Sequence, residues 1–219
     1  QTTFIAYGAD VSSSILSDND SLVLDWYKEK NVMPHEYYLV VGRFVPENNY
    51  EVMIREFMKS KTKKDFVLIT NVEQNKFYEE LKNKTNFDKD PRIKFVGTVY
   101  NQELLKKIRE NAYGYLHGHA VGGTNPSLLE ALATTKLNLL FDVSFNNEVG
   151  RDSAYYFNAT NGNLSNLIED LEDISKSEIE YKANLAKCII GKDYCWNKIV
   201  SEYEELFASE SRTLWVGGM

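Results

Sequence analysis

The sequence predicts an α/β domain of the doubly wound, Rossmann-like kind, a parallel six-stranded sheet flanked by helices. Short apolar runs that are continuous, not alternating, indicate strands covered on both faces, as in parallel sheets. These runs alternate with amphipathic stretches along most of the chain, the β-α-β-α order that closes through right-handed crossovers. A third observation locates a site. The glycine-bearing turns at Gly42, Gly97 and Gly118–Gly123 each follow the carboxyl end of a predicted strand, where open α/β sheets bind ligands at the topological switch point.

"YYLVVGRF" (37–44) reads as the first strand, and "NNYEVMIREFMKS" as a helix with Val52, Met53, Ile54 and Phe57 as its apolar residues. "DFVLITN" (65–71) is the second strand, followed by helix-like "NKFYEELKNK". "RIKFVG" (92–97) is the third, with the helix "NQELLKKIREN" after it. "AYGYLHG" (112–118) is the fourth, leading into the helix "NPSLLEALAT". "KLNLLFD" (136–142) and "SAYYFN" (153–158) complete the six, and helix-forming sequence continues to about residue 208. The stretch "FDVSFNNEVGRDS" (141–153) is expected as a loop above the sheet, its Asn146, Asn147, Glu148 and Arg151 being either capping residues or sugar contacts. Three units are expected: a linker over 1–15, the nucleotide-binding domain over 16–208, and a tail over 209–219 whose "SRTLWVGGM" docks or frays.

Composition narrows the function. At 219 residues, 43% hydrophobic and 26% charged, the chain can bury a proper core. A net charge of −7, from 25 Lys+Arg against 32 Asp+Glu, argues against a broad nucleic-acid surface. Cys188 and Cys195 make neither a disulfide framework nor a zinc site, and are read as reduced thiols of a cytoplasmic protein. No apolar run approaches the ~20 residues of a membrane span, and no signal peptide opens the chain. The abrupt start at "QTTFIAYGADVSSS" is expected to be a cut inside a longer protein. No G-x-G-x-x-G follows a strand, and no Walker lysine loop or G-x-S-x-G elbow is present.

The stretch "GHAVGGTNPSLLEAL" (118–132) concentrates the candidate chemistry. Asn125 is a good N-cap and Pro126 suits the first helical turn. The amides of Ser127 and Leu128, after the flexible Gly122-Gly123-Thr124, are expected as free donors forming an anion site at the positive end of a helix. Simple capping is the alternative. Glu130 lies about one turn in, on the side of Ser127 and Pro126, and its carboxylate can accept from both hydroxyls of a ribose. Arg43, just past the first strand beside Gly42, can clamp a diphosphate in bidentate fashion. Gly97, Thr98 and Val99 offer backbone groups to a pyrimidine base. His119 is read as a donor to sugar or phosphate, or else as a packed or solvated side chain. His117 and His119 face opposite ways, so a shared metal is not expected.

Taken together, "VGRFVPENN", "KFVGTVYNQELLKKI", "GGTNPSLLEALA" and "FNNEVGRDSAYYF" resemble the carboxyl-terminal domain of family-4 glycosyltransferases of the GT-B fold. Within that family the chain is most similar to bacterial rhamnosyltransferases of capsule and cell-wall polysaccharide synthesis, from Tyr7 to about Phe207. "AYGAD" (6–10) resembles the segment where these enzymes pass from their amino-terminal domain to the second.

The resemblance implies Glu130 on the ribose, Arg43 and the Ser127 and Leu128 amides on the diphosphate, and the Thr98 region on the base. It implies sugar transfer from a dTDP- or UDP-linked donor, with rhamnose from dTDP-rhamnose as the expected sugar, retention of configuration and no metal requirement. The acceptor site and a catalytic histidine would belong to a missing amino-terminal domain, leaving this half with leaving-group stabilisation by Arg43. A partly membrane-bound acceptor is implied, although no basic amphipathic surface marks membrane docking. Two positions depart from the pattern. The usual lysine five residues after the arginine is Asn48, and the usual glutamate eight residues before Glu130 is Gly122, leaving His119 or Thr124 to replace it. A nucleotide-sugar epimerase half and a non-catalytic nucleotide-binding module are the alternatives.

Overall fold

In the computed structural model, which describes residues 5–73 and 75–215, six parallel strands form one sheet in the order β3-β2-β1-β4-β5-β6. The strands are β1 (Tyr37–Val41), β2 (Asp65–Ile69), β3 (Ile93–Gly97), β4 (Gly114–His117), β5 (Asn138–Phe141) and β6 (Tyr155–Phe157). Each lies inside the run that predicts it. The order reverses between β1 and β4, which pair through Tyr38↔Gly114 and Leu39↔Tyr115. A crevice therefore opens beyond the carboxyl ends of those two strands, at the switch point.

Alternate strand residues enter opposite cores, which explains the unbroken apolar runs. Tyr38, Val40, Phe66 and Leu68 join α2 (Tyr50–Lys59), α3 (Lys76–Thr85) and α7 (Asn163–Glu172) on one face. Tyr37, Leu39, Val67 and Ile69 join α1 (Ser21–Lys30) and α4 (Gln102–Glu110) on the other. A third cluster packs α5 (Pro126–Thr134) and α6 (Ser144–Gly150) on α8 (Lys176–Asp193), through Leu129, Val149 and Ile190.

Three features differ from expectation. Helix α1 was not expected; Asp20 caps it by accepting from the Leu22 amide at 2.9 Å, and Val23, Trp26 and Tyr27 form its buried stripe. The expected loop over 141–153 contains α6, because Asn146 and Val149 turn inward while Arg151 closes the helix with a positive φ of 45°. The final helical sequence is divided into α7, α8 and α9 (Trp196–Trp215). Residues 209–215 of the expected tail continue α9; residues 216–219 of that tail, and 1–4 of the expected linker, lie outside the described residues. The remaining linker returns to the carboxyl-terminal helices, where the Ala9 amide donates to the Tyr194 carbonyl at 2.8 Å. No described helix is long and apolar enough to cross a membrane.

Candidate functional site

Two clefts open at the carboxyl edge of the sheet and share a rim at Gly42 and Arg43. The first, of about 290 Å³, lies over the β1–β4 switch point and is lined by Asn48, His117, Gly118, His119 and Ser127 as well. The second, of about 520 Å³, lies over β2 and β3 and reaches Thr70, Thr98, Val99 and Tyr100. The structure thus brings Arg43, His119 and the start of α5 to one cleft, and the Thr98 region to its neighbour. Arg43 is exposed, and its guanidinium makes no hydrogen bond or ion pair among the described residues. Sequence reasoning did not single out Tyr100, which stands 85% exposed on the second cleft.

The wall of the first cleft is built by two loops laid against each other. The Ala120 amide donates to the Glu47 carbonyl at 3.1 Å, and Asn49 Nδ2 donates to the Gly118 carbonyl at 2.7 Å. Glycine is required at 118, because a Cβ there would sit 2.2 Å from the Asn48 carbonyl oxygen. Asn48 is part of this wall. Its Nδ2 donates to the Arg43 carbonyl at 2.8 Å, and its Oδ1 faces His119 Nδ1 at 2.8 Å. The side chain at the position of the usual lysine is therefore engaged with protein partners.

The start of α5 corrects the sequence expectation. The amides of Ser127 and Leu128 are not free: the first donates to Asn125 Oδ1 at 2.9 Å and the second to the Asn125 carbonyl at 3.0 Å. A side-chain N-cap works by accepting these amides, so the better the cap, the fewer donors it leaves. The unpaired amides lie one step earlier. Those of Gly123, Thr124 and Asn125 have no acceptor among the described residues, and Gly122 turns the chain there with φ 114°.

Behind the helix start, Ser127 Oγ lies 2.8 Å from Tyr115 Oη and donates to the Val41 carbonyl at 3.1 Å. Arg109, on α4 and only 5% exposed, reaches Glu130 Oε2 at 2.7 Å and Ser127 Oγ at 3.4 Å. Glu130 lies on the same side of α5 as Ser127, as expected, but one turn behind the residues that line the clefts. Arg109 went unnoticed in the sequence, although a signal was present. It falls four residues after Leu105, on the apolar face of α4, where a charge implies a buried partner.

Removing the Glu130 carboxylate strands that guanidinium. Glu130→Ala is expected to cost roughly 1.5 kcal/mol, the low end for a charged hydrogen bond, because the carboxylate is 43% exposed. Glu130→Gln, which keeps an acceptor, should cost less; chemical denaturation of both variants checks the order.

Against the expectation that they face opposite ways, His117 and His119 line the same cleft with ring centroids 6.0 Å apart, because residues two apart on an extended chain share a face. His117, at the end of β4, is buried and its Nε2 has no partner among the described residues. Burial, with a smaller contribution from His119, pushes its pKa down to about 3. A lowered folded pKa means that the unfolded chain takes up the proton first. Its stability contribution is complete above the ordinary value of 6.5 and is lost as pH falls toward 3. The expected slope is about 1 kcal/mol per pH unit between pH 6 and 5, with His119, also lowered by burial and by Arg43, adding in the same direction. Comparing unfolding of wild type and His117→Phe across that range should show a flatter slope for the variant.

The remaining candidates, Asn146, Asn147, Glu148 and Arg151, line neither cleft. Asn146 is fully buried, and its Nδ2 donates to the His119 carbonyl at 3.0 Å and the Phe141 carbonyl at 2.9 Å. It shapes the wall from behind. Asn147 donates to Asp142 Oδ1 at 2.8 Å, and Arg151 pairs with Asp193 at 2.8 Å, fastening α6 to α8.

No protein-family model matches the sequence, and no curated protein matches it. Solved structures do. HepE of Anabaena, in complex with UDP and glucose, superposes with a TM-score of 0.77 at 16% identity, over 94% of this chain and 56% of that one. A glycosyltransferase from Rickettsia africae ESF-5 gives 0.75 at 13% identity, over 89% and 52%. Sucrose-phosphate synthase from Thermosynechococcus elongatus gives 0.74 at 14% identity, over 100% and 54%. These identities establish a shared fold, a Rossmann-like domain spanning little more than half of each larger neighbour.

Proposed function

We propose that this chain is the donor-binding part of a retaining GT-B glycosyltransferase, whose acceptor-binding domain lies outside the chain. The observation that carries the reading is a convergence. Arg43 and the Asn125 amide, neither with a partner among the described residues, line a cleft at the switch point, and a second cleft adjoins it across the Arg43 rim, in a fold shared with a protein solved in complex with UDP.

The diphosphate would bridge the rim that Arg43 shares between the two clefts, with one end directed at the amides of Gly123, Thr124 and Asn125. The base would enter the second cleft beside Thr98, Val99 and Tyr100. The ribose hydroxyls would reach Glu130, whose Oε2 is held by Arg109 and whose other oxygen remains to accept. Transfer breaks the bond between the anomeric carbon and the diphosphate oxygen, the electron pair leaving with the diphosphate, while the acceptor hydroxyl oxygen bonds to that carbon and its proton passes to the departing diphosphate. Charge then grows on the leaving group, and Arg43 and the amides would stabilise it.

The resemblance to polysaccharide rhamnosyltransferases adds the finer reading: rhamnose carried by dTDP, with UDP as the other carrier, moved to a glycan or lipid-linked glycan. With a nucleotide-sugar donor the reaction would lie in the cytoplasm, and a lipid-linked acceptor would bring the full-length protein to the inner membrane face.

Titration calorimetry with dTDP, UDP and GDP tests the reading. At least one is expected to bind the folded chain at millimolar concentration or below, and binding of none of them would reject it.

A further inference from the structure

We propose that Asn48 locks His119 in a single tautomer, so that His119 Nε2 accepts a hydroxyl of the donor sugar in the space that Gly122 leaves open. This rests on the donor-site reading above and assigns the contact that reading leaves without an owner.

The tautomer follows from the hydrogen bonds. One end of the Asn48 amide faces the Arg43 carbonyl at 2.8 Å, and a carbonyl can only accept, so that end is the NH2 group. The other end is then the carbonyl oxygen, 2.8 Å from His119 Nδ1, which must carry the proton. A neutral imidazole protonated on Nδ1 presents a lone pair on Nε2. Burial and the charge of Arg43 both lower the pKa of His119, which favours that neutral form.

The space in front of Nε2 is open. A Cβ built on Gly122 would meet only Nε2, at 3.5 Å, within 4 Å. The positive φ of 114° at Gly122 disfavours any side chain there. Nε2 makes no hydrogen bond among the described residues. The ring is set by Phe145 at 5.8 Å in an edge-on contact and by His117 at 6.0 Å, and the His119 carbonyl is held by Asn146. A lone pair repels a phosphate oxygen and attracts a hydroxyl proton. Arg43 and the amides of residues 123–125 would therefore take the diphosphate, while His119 takes the sugar.

Two measurements on the chain test this. In ¹⁵N NMR at pH 8, His119 is expected as the Nδ1–H tautomer, moving toward Nε2–H in Asn48→Ala; an Nε2–H tautomer in the wild type overturns the proposal. In calorimetry at the same pH, UDP is compared with UDP-glucose, and dTDP with dTDP-rhamnose. For a pair in which the sugar tightens binding, His119→Phe is expected to lower that gain about fivefold while leaving the free diphosphate within about twofold. Equal weakening of both ligands, an unchanged gain, or no gain in the wild type overturns the inference. No binding of any ligand to the wild type overturns the donor-site reading with it.

Discussion

Arg43→Ala is expected to weaken UDP or dTDP binding by about 10- to 100-fold with little change in thermal stability. The range corresponds to one charge-assisted, bidentate contact of about 1.5–3 kcal/mol. The separation from stability follows because the guanidinium is exposed and has no partner among the described residues, so folding loses nothing with it. The chain as a whole carries −7, so a diphosphate depends on local positive groups, and Asn48 brings no charge to replace the usual lysine. Arg43→Lys should recover only part of the loss, since an ammonium is a point charge and cannot form the two-pronged contact. Calorimetry of the three proteins checks the order; equal affinity for wild type and Arg43→Ala would remove Arg43 from the site.

Gly118→Ala is expected to damage both stability and binding. The new Cβ would meet the Asn48 carbonyl oxygen at 2.2 Å and Met53 Cε at 2.9 Å, and the nearer atom is backbone. The two loops must part, straining the Asn49–Gly118, Ala120–Glu47 and His119–Asn48 hydrogen bonds together. Overpacking of this kind costs about 1–3 kcal/mol, a fall of roughly 2–12 °C in Tm at this chain length. Gly123 is the control. Nothing lies within 4 Å of a Cβ built there, so Gly123→Ala should leave Tm within about 1 °C. Calorimetric melts of both variants decide the matter, and similar Tm values would show that the loop contact at 118 yields.

The six strands were legible because a sheet covered on both faces needs apolar residues on both, and such runs stand out. Helix α1 was less so, since its short stripe of Val23, Trp26 and Tyr27 sits among charged residues. Helix α6 was hidden by asparagines and glycine, residues that usually signal loops; its reason for being helical is the burial of Asn146 and Val149, a tertiary effect. In the site, residue types were readable but their hydrogen-bond accounts were not. "NPSLLEA" shows a good N-cap, yet only the geometry shows that Asn125 uses the Ser127 and Leu128 amides and leaves those of Gly123 to Asn125 itself. Spacing shows that position 48 lacks a lysine; it does not show that the asparagine spans the Arg43 carbonyl and His119. Arg109 was readable as a charge on an apolar helix face, and its pairing with Glu130 required α4 and α5 side by side.

The central claim is that a nucleoside diphosphate lies across the Arg43 rim with its phosphates at the start of α5. Hydrogen exchange with and without saturating UDP or dTDP, followed by mass spectrometry, tests it most directly. Protection is predicted in peptides covering residues 42–49, 97–100 and 118–125, with the edge strand β6 and helix α8 unchanged. Binding accompanied by protection elsewhere, with these three segments unaltered, would contradict the account.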